Sequence, residues 1–427
     1  MSRERTARRA GLKSTVLCYA MKPFLCAFLV ATPILAHAAP AKQQNGFEMY
    51  VEASKLIVNA TPAVDPVNDV TRETDPKVRA QKYSLARKEA WLKQNAKGFA
   101  LFQKALTMPT SHPKIRRFDG IFPNYGALRQ LARDKAIERN AREMRGDWSG
   151  SIQSRLDVVQ MGNGVSRGGP IIGFLVGAAI EAIGRTEPWA ATEKLNASQA
   201  RDAAARLQKI YTSRFIHVET LQEEKSYGAA LLRESFREPT WRDIGRWNKT
   251  ASPADRVQAL TIAPEEIIRN YTRAMDGHIT NARLPYSASK AVVAEPADPF
   301  SRSMLGDYYG QIRFLSARSD ASNAVWLCAL ALRAFRVENG TYPTRLDELM
   351  SGYLKAVPAD PFGGGEKLRY KRTANSYVLW SIGPDGKDDG GKPVPARYRV
   401  KPSAWEKPRL PFIEADSNGD YVAGKNR

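Results

Sequence analysis

Cysteine and histidine are scarce in this 427-residue chain, which contains three cysteines and four histidines. Two of the cysteines fall in an apolar leader, so Cys328 is the one thiol expected in the mature protein, and an internal disulfide is excluded. The histidines beyond the leader, His112, His217 and His278, are isolated in sequence. No G-x-S-x-G, H-E-x-x-H or Cys-His signature accompanies them. The sequence therefore predicts no catalytic residues.

An apolar run long enough to cross a bilayer, about 20 residues, is also lacking. The run Pro23–Leu35 is shorter, follows a basic stretch and precedes Ala36-His37-Ala38. This order is that of a secretory signal, so residues 1–38 are predicted to be a signal peptide that is cleaved after Ala38. The alternative is an uncleaved leader that keeps the chain associated with the membrane. Translation from Met1 and translation from Met21 both fit the pattern.

Acidic residues are few compared with basic ones, 44 against 65, which gives a formal net charge of +21. Removal of residues 1–38 takes away six basic residues and one acidic residue and leaves +16. We expect an exported protein of periplasmic or extracellular address. Its basic surface favours an acidic envelope protein partner or an anionic surface, such as lipid headgroups or cell-wall polymer. Nucleic acid is not an expected partner.

Residues 39–284 predict a basic, all-helical domain built as a helical hairpin or irregular solenoid. Its clearest helix has small and apolar residues on one face and charges on the other, with Asn196 or Ser198 able to cap its first turn. That face contains Ala200, Ala203, Ala204, Leu207 and Tyr211. The apolar segment Pro170–Ile183 is predicted to be the buried central helix of the domain. Gly146-Asp147-Trp148 resembles the inter-helix turn of tetratricopeptide-type repeats, without a second copy at their 34-residue period.

Residues 285–300 predict a linker, residues 301–395 a small α+β domain, and residues 396–427 an irregular tail. In the α+β domain, Ser322–Val337 predicts a helix, and Thr344 with Asp347 predicts a capped start of a second, short helix. The segments Leu368–Lys371 and Ser376–Ile382 predict a short antiparallel sheet. The expected fold is therefore a mainly α domain followed by a small α+β domain.

The order of motifs in this last domain resembles the globular part of the type II secretion major pseudopilin, protein G. The motifs are Asn339-Gly340-Thr341-Tyr342-Pro343, the segment Tyr353–Gly363, and Ser381-Ile-Gly-Pro-Asp-Gly386. The resemblance covers about 75 of the 427 residues. The family's S-x-G-x-D-G loop helps to bind a structural calcium ion, so the resemblance implies Ca²⁺ with Asp385, Asp388 and Asp389 as ligands.

The resemblance stops at the amino-terminal side. Pseudopilins need a leader that is cut just before a phenylalanine opening a long apolar helix, and charged and polar residues follow Gly46-Phe47 here. The chain is therefore not expected to polymerise as a pilin. We expect a non-enzymatic binding or scaffolding protein of the envelope with a pseudopilin-like domain. The alternative is a periplasmic hydrolase with its active site in the helical domain, and converging carboxylates or histidines in a deep cavity would favour it.

Overall fold

The computed structural model describes residues 45–58, 84–114, 123–214, 217–244, 249, 251–288, 293–305, 308–395 and 413–425. All of them belong to one compact unit. The unit is mainly helical and carries a small antiparallel sheet near its carboxyl end, which confirms the predicted fold class. The predicted signal peptide, residues 1–38, lies outside the described residues. None of the helices in these ranges is both long enough and apolar enough to span a membrane.

Thirteen α-helices are found among the described residues. They are α1 (Gly46–Leu56), α2 (Leu85–Gln94), α3 (Ala96–Leu106), α4 (Pro123–Met144), α5 (Trp148–Ser166), α6 (Ile171–Gly184), α7 (Trp189–Thr192), α8 (Ala197–Thr212), α9 (His217–Ser235), α10 (Pro253–Thr261), α11 (Pro264–Ala282), α12 (Pro299–Leu305) and α13 (Tyr308–Asn339). Short 3₁₀ helices occupy Tyr286–Ala288 and Leu346–Met350, and the strands are β1 (Arg369–Arg372), β2 (Tyr377–Ser381) and β3 (Tyr421–Val422).

Helices α5 and α6 pack against each other at a pair of glycines. A Cβ atom on Gly162 would lie 2.6 Å from the backbone oxygen of Gly177, and a Cβ on Gly177 would lie 2.5 Å from that of Gly162. Only glycine allows the two backbones to come this close. Phe174 and Ile180 are buried but Ile172 and Ala182 are exposed, so α6 buries one face and is not the fully buried central helix that was predicted.

Two local predictions in the helical part are confirmed. Helix α8 buries its small and apolar face, and the side chain of Asn196 caps it, with Gln199 completing a capping box. Gly146 has φ +78°, and Asp147 accepts a hydrogen bond from the amide of Gly150, which starts α5 after a tight turn. The Gly-Asp-Trp segment is therefore the connection between two helices.

Helix α13 begins at Tyr308, fourteen residues before the predicted start at Ser322. One apolar core joins its buried side chains to those of α8 and of β2, so residues on both sides of the predicted linker share that core. Cys328 lies in the middle of it, and burial raises the pKa of its thiol to about 12. The division into two domains within this unit remains a prediction.

The sheet has the order β1-β2-β3 and is antiparallel throughout. Strands β1 and β2 match the two predicted strands, with Arg369 opposite Trp380. Strand β3 comes from the far end of the predicted irregular tail and pairs Val422 with Trp380. The short helix after Thr344 is stabilised by Glu348, which accepts hydrogen bonds from Thr344 and Arg345, while Asp347 binds Lys367 instead.

Candidate functional site

The acidic loop, residues 383–391, follows β2 and carries the three aspartates of the predicted calcium site. Asp385 accepts hydrogen bonds from the amides of Lys387 and Gly419, each at 3.2 Å. Asp388 accepts from the indole Nε1 of Trp380 at 3.0 Å and from Nε of Arg369 at 3.1 Å. The loop is thus fastened to both β1 and the segment that leads into β3.

Asp420, which the sequence did not single out, joins this loop from the residue before β3. Its carboxylate is fully buried and accepts from the amide of Gly391 at 2.7 Å and from that of Asp389 at 3.3 Å. Burial, followed by the charges of Asp388 and Asp389, raises the pKa of Asp420 to about 6. Four carboxylates therefore lie at one end of the sheet, and Arg369 offsets the charge of one of them, Asp388.

The fit of this loop to calcium is mixed. Burial is the main cause of the raised pKa of Asp420, and the charges of Asp388 and Asp389, which a hard cation would offset, contribute less. Both carboxylate oxygens of Asp388, however, already accept hydrogen bonds, which come from Arg369, Trp380 and the amide of Gly390. Within the described ranges, no group of three or more acidic, histidine or cysteine side chains is arranged to hold a metal ion. Calcium binding through Asp385, Asp388 and Asp389 remains a prediction.

A cleft of about 440 Å³ opens where α6 and α7 meet α13 and β3. Small side chains on α6 form one wall of the cleft, and aromatic rings on α7, α13 and β3 form the others. Trp326 at its base is buried, and its Nε1 donates to Oγ1 of Thr192 at 3.2 Å. The charged residues that line it are Arg185, Glu187 and Arg318. The apolar lining includes Leu175, Ala178, Ala182, Trp189, Trp326 and Tyr421.

The rim of this cleft contains a strained residue. Glu187 has φ +47° and precedes Pro188, and it is the one residue other than glycine with a positive φ in the described part of the chain. A side chain in this region of φ costs about 1–2 kcal/mol. Arg155 fixes the same turn by donating to the carbonyl oxygen of Thr186. Strain held in place by buried contacts is frequent at binding and catalytic sites.

A buried charge network borders the cleft and joins α6 to α13. Ser319 donates to Glu181 at 2.8 Å, and Arg185 pairs with Glu181 at 2.7 Å. Burial by itself raises the pKa of Glu181, but Arg214 and Arg185 outweigh it and hold that pKa below its usual value. Arg214 also pairs with Asp320. The Glu181 network, formed by Glu181, Arg185, Arg214 and Ser319, therefore fixes the two walls of the cleft relative to each other.

A second, smaller cavity of about 280 Å³ brings together two histidines that are far apart in sequence, His217 on α9 and His278 on α11. His278 stacks on Tyr309 with ring centroids 4.2 Å apart. Burial lowers the pKa of both imidazoles, that of His217 to about 4 with Arg313 and Arg214 contributing. The sequence could not predict that His217 and His278 line the same cavity, since neither residue belongs to a recognised motif.

His112 and Trp241 both pack against neighbouring aromatic rings. His112 lies apart from the other two histidines and hydrogen-bonds the hydroxyl of Tyr125. The guanidinium of Arg242 lies 4.2 Å from the ring centre of Trp241, whose other neighbours include Phe236 and Phe300.

Comparison of the chain with protein-family models, with curated proteins and with solved structures finds no match in any of the three.

Proposed function

We propose that this chain is an exported, non-enzymatic binding and scaffolding protein of the bacterial cell envelope, with a pseudopilin-like domain at its carboxyl side. The observation that carries the proposal is the 440 Å³ cleft between α6, α7, α13 and β3. Ligand sites are typically concave, mostly apolar, and provided with a few polar groups that fix orientation. The cleft has each of these properties, and a strained residue, Glu187, stands at its rim.

The occupant that fits best is an acidic partner protein that inserts one large apolar side chain. Interface energy concentrates in a few such anchors that fill well-packed hollows. Trp189, Trp326 and Tyr421 offer the aromatic contact, and Arg318 stands beside them. The net charge of +16 without the leader would attract an acidic surface and speed the encounter.

The leader supports the envelope address, periplasmic or extracellular, with membrane association if the leader is kept. An anionic surface, either lipid headgroups or cell-wall polymer, is a second contact that the basic charge favours. Polymerisation as a pilin is not part of the proposal, because the apolar amino-terminal helix it requires has no counterpart after Phe47.

The experiment is capture from the native envelope fraction with three purified baits. They are the wild-type chain, Ala182→Phe at the exposed wall of the cleft, and the matched control Ala254→Phe on the exposed side of α10. We expect wild type and Ala254→Phe to retain an acidic protein, and Ala182→Phe to bind it at least about tenfold more weakly once it is purified, a difference of about 1.4 kcal/mol. Equal affinities of the purified partner for wild type and Ala182→Phe would overturn the proposal.

Calcium belongs to the same proposal as a structural ion of the acidic loop. Asp385, Asp388 and Asp389 would hold it, with Asp420 supplying further negative charge. Bound to the folded chain alone, the ion would add RT ln(1 + [Ca²⁺]/Kd) to the free energy of unfolding, so the melting temperature would rise with the calcium concentration. Melting is measured with calcium and, as a control, with magnesium, for wild type and Asp385→Asn. A wild-type melting temperature unchanged at millimolar calcium would remove calcium from the proposal.

Hydrolysis is the second candidate, and one observation favours it: His217 and His278 line a single cavity in the helical part. An imidazole with a free lone pair is a usual general base. The lining found within the described residues contains no carboxylate, serine or cysteine, so water would have to be the nucleophile. Loss of p-nitrophenyl acetate hydrolysis in His217→Phe, but not in His112→Phe, would support this candidate. Equal rates in wild type and His217→Phe would exclude it.

A further inference from the structure

The outer edge of β1 carries backbone groups that have no hydrogen-bond partner among the described residues. The amide of Thr373 donates to the carbonyl oxygen of Ser376 at 2.9 Å, where the β1–β2 hairpin closes. Hydrogen-bonded pairs alternate with unbonded pairs along an antiparallel ladder, so Lys371, two residues back, exchanges its bonds with β2. The amides and carbonyl groups of Tyr370 and Arg372 therefore point away from β2, towards the open edge.

The contacts of β2 on its other side agree with this assignment. Leu379 faces Tyr370 in the register, and its carbonyl oxygen accepts from the amide of Ala423 at 2.9 Å, just after β3. The backbone groups of Leu379 are thus directed at β3 and leave those of Tyr370 unbonded. Because the strand order is β1-β2-β3, β1 is an edge strand. Such an edge is a template on which a further strand can add.

The charge of this edge is positive. Residues 367–384 contain four basic residues and no acidic one. Lys367 and Arg369 form ion pairs with acidic side chains. Lys371 and Arg372 are exposed, and neither forms an ion pair with another described residue. Cations on an edge oppose pairing with a second copy of the same edge, and they favour a strand that carries carboxylates.

The two faces of β1 differ, because neighbouring residues of a strand point to opposite sides. Tyr370 and Arg372 share one face, where the ring centre of Tyr370 lies 6.1 Å from that of Tyr377. Arg369 and Lys371 share the other face. A strand added beside β1 places its alternate side chains next to these two sets. Alternating apolar and acidic residues match them, the apolar ones at the tyrosines and the acidic ones at Arg369 and Lys371.

We propose that the outer edge of β1 binds an extended acidic segment of a partner protein, which adds to the sheet as a fourth strand. The backbone of Tyr370 and Arg372 provides the hydrogen bonds, and the cations select the charge. Two other occupants are disfavoured by charge. A second copy presents the same basic edge, and residues 396–412 of this chain contain five basic residues and one acidic residue. The inference does not depend on the cleft or on the partner proposed for it.

The test is fluorescence anisotropy of labelled peptides of about eight residues with the full mature chain, in about 0.15 M salt so that only nearby charges act. The first peptide alternates glutamate and valine, and the second is the same peptide with every amide N-methylated. The third has lysine in place of each glutamate. We expect a dissociation constant of about 0.1 mM or tighter for the first and at least about tenfold weaker binding of the others. Equal affinities of the first two would mean that charge alone attracts them and would overturn the proposal.

A pair of variants separates the backbone from the charge. Arg372→Pro removes an outward amide that takes no part in the ladder, and Arg372→Gln removes the charge alone. Both lose the contact of the Arg372 guanidinium with the carbonyl oxygen of Tyr342, so that contact is matched. We expect Arg372→Pro to bind the glutamate–valine peptide at least about fivefold more weakly than Arg372→Gln. Equal binding by two folded variants would overturn the proposal.

A charge variant tests the same edge without requiring the fold to tolerate proline. Lys371→Glu combined with Arg372→Glu should weaken the glutamate–valine peptide at least about tenfold. Lys93→Glu combined with Lys97→Glu changes the net charge equally at exposed positions of α2 and α3 and should bind as wild type does. Ala182→Phe should also bind as wild type does, so a failure of the cleft proposal is distinguishable from a failure here. Equal weakening by both charge variants would overturn the assignment to β1.

Discussion

Ser319 of α13 donates its hydroxyl proton to the carboxylate of Glu181 on α6, at 2.8 Å and across 138 positions of the chain. The same carboxylate is paired with Arg185 at 2.7 Å and is almost completely buried. This contact fixes α13 against α6, and the cleft lies between these two helices. The position of one carboxylate therefore bears on both the stability of the chain and the shape of the site.

Replacing Glu181 with leucine should be strongly destabilising. Arg185 would remain buried without a carboxylate and Arg214 would keep Asp320 alone, and breaking a buried pair from one side costs about 3–5 kcal/mol. Urea unfolding measures the loss. Glu338→Gln, which breaks an exposed pair with Arg201, is the control and should change the free energy of unfolding little. A Glu181→Leu variant as stable as the control would contradict the role assigned to the network.

Asp420 should give the protein a distinct dependence of stability on pH. The pKa of its buried carboxyl group is about 6 in the folded chain, above the ordinary value of about 3.9. Between these values the folded chain keeps a proton that the unfolded chain releases, so the free energy of unfolding falls as the pH rises from about 4 to 6. Asp420→Asn should lack this fall. Urea unfolding of both proteins across that range would give parallel curves if Asp420 did not titrate in this way.

Glu187→Gly should stabilise the chain and weaken binding at the cleft. Glycine adopts the positive φ of 47° without strain, which is worth about 1–2 kcal/mol before the gain in flexibility of the unfolded chain is subtracted. Strain kept at a binding site commonly trades stability for function. Thermal melting and partner affinity are measured together. A higher melting temperature with unchanged affinity would show that the strain plays no part in binding.

Cys328 should be inert in the folded protein. Its pKa of about 12 leaves almost no thiolate at neutral pH, and the side chain is fully buried in the core shared by α8 and α13. A chromogenic aromatic disulfide should therefore react with the mature chain at the rate of unfolding and at full speed in concentrated urea. Rapid reaction under native conditions would show that this core opens locally.

Local patterns in the sequence were enough to predict several elements. The alanine-rich face of α8, its Asn196 cap and the two strands before the acidic loop follow from periodicity and capping chemistry within a few residues. Strand β3 could not be predicted in this way. It is two residues long and owes its existence to pairing of Val422 with Trp380, a contact with no local signature.

The candidate sites also contain some residues that local sequence patterns identify and others that only the fold brings together. Asp385, Asp388 and Asp389 are close together in the sequence, so they could be identified from it. The buried Asp420 is far away in the sequence, and it contacts the acidic loop because β3 pairs with β2. His217 and His278 meet because α9 and α11 pack together, and the cleft exists because α6 stands opposite α13. Such sites depend on long-range packing, which single-sequence patterns do not encode.

The apolar core shared by α8, α13 and β2 also limits how this chain can evolve. Leu332 of α13 lies in one core with Leu207 of α8 and Leu379 of β2. A gene segment that encodes residues 301–395 would consequently not be portable: fused to an unrelated protein, it would leave the α8-facing side of α13 open to water. Any recipient would have to provide an apolar helix of matching shape, so the two parts are expected to be inherited together.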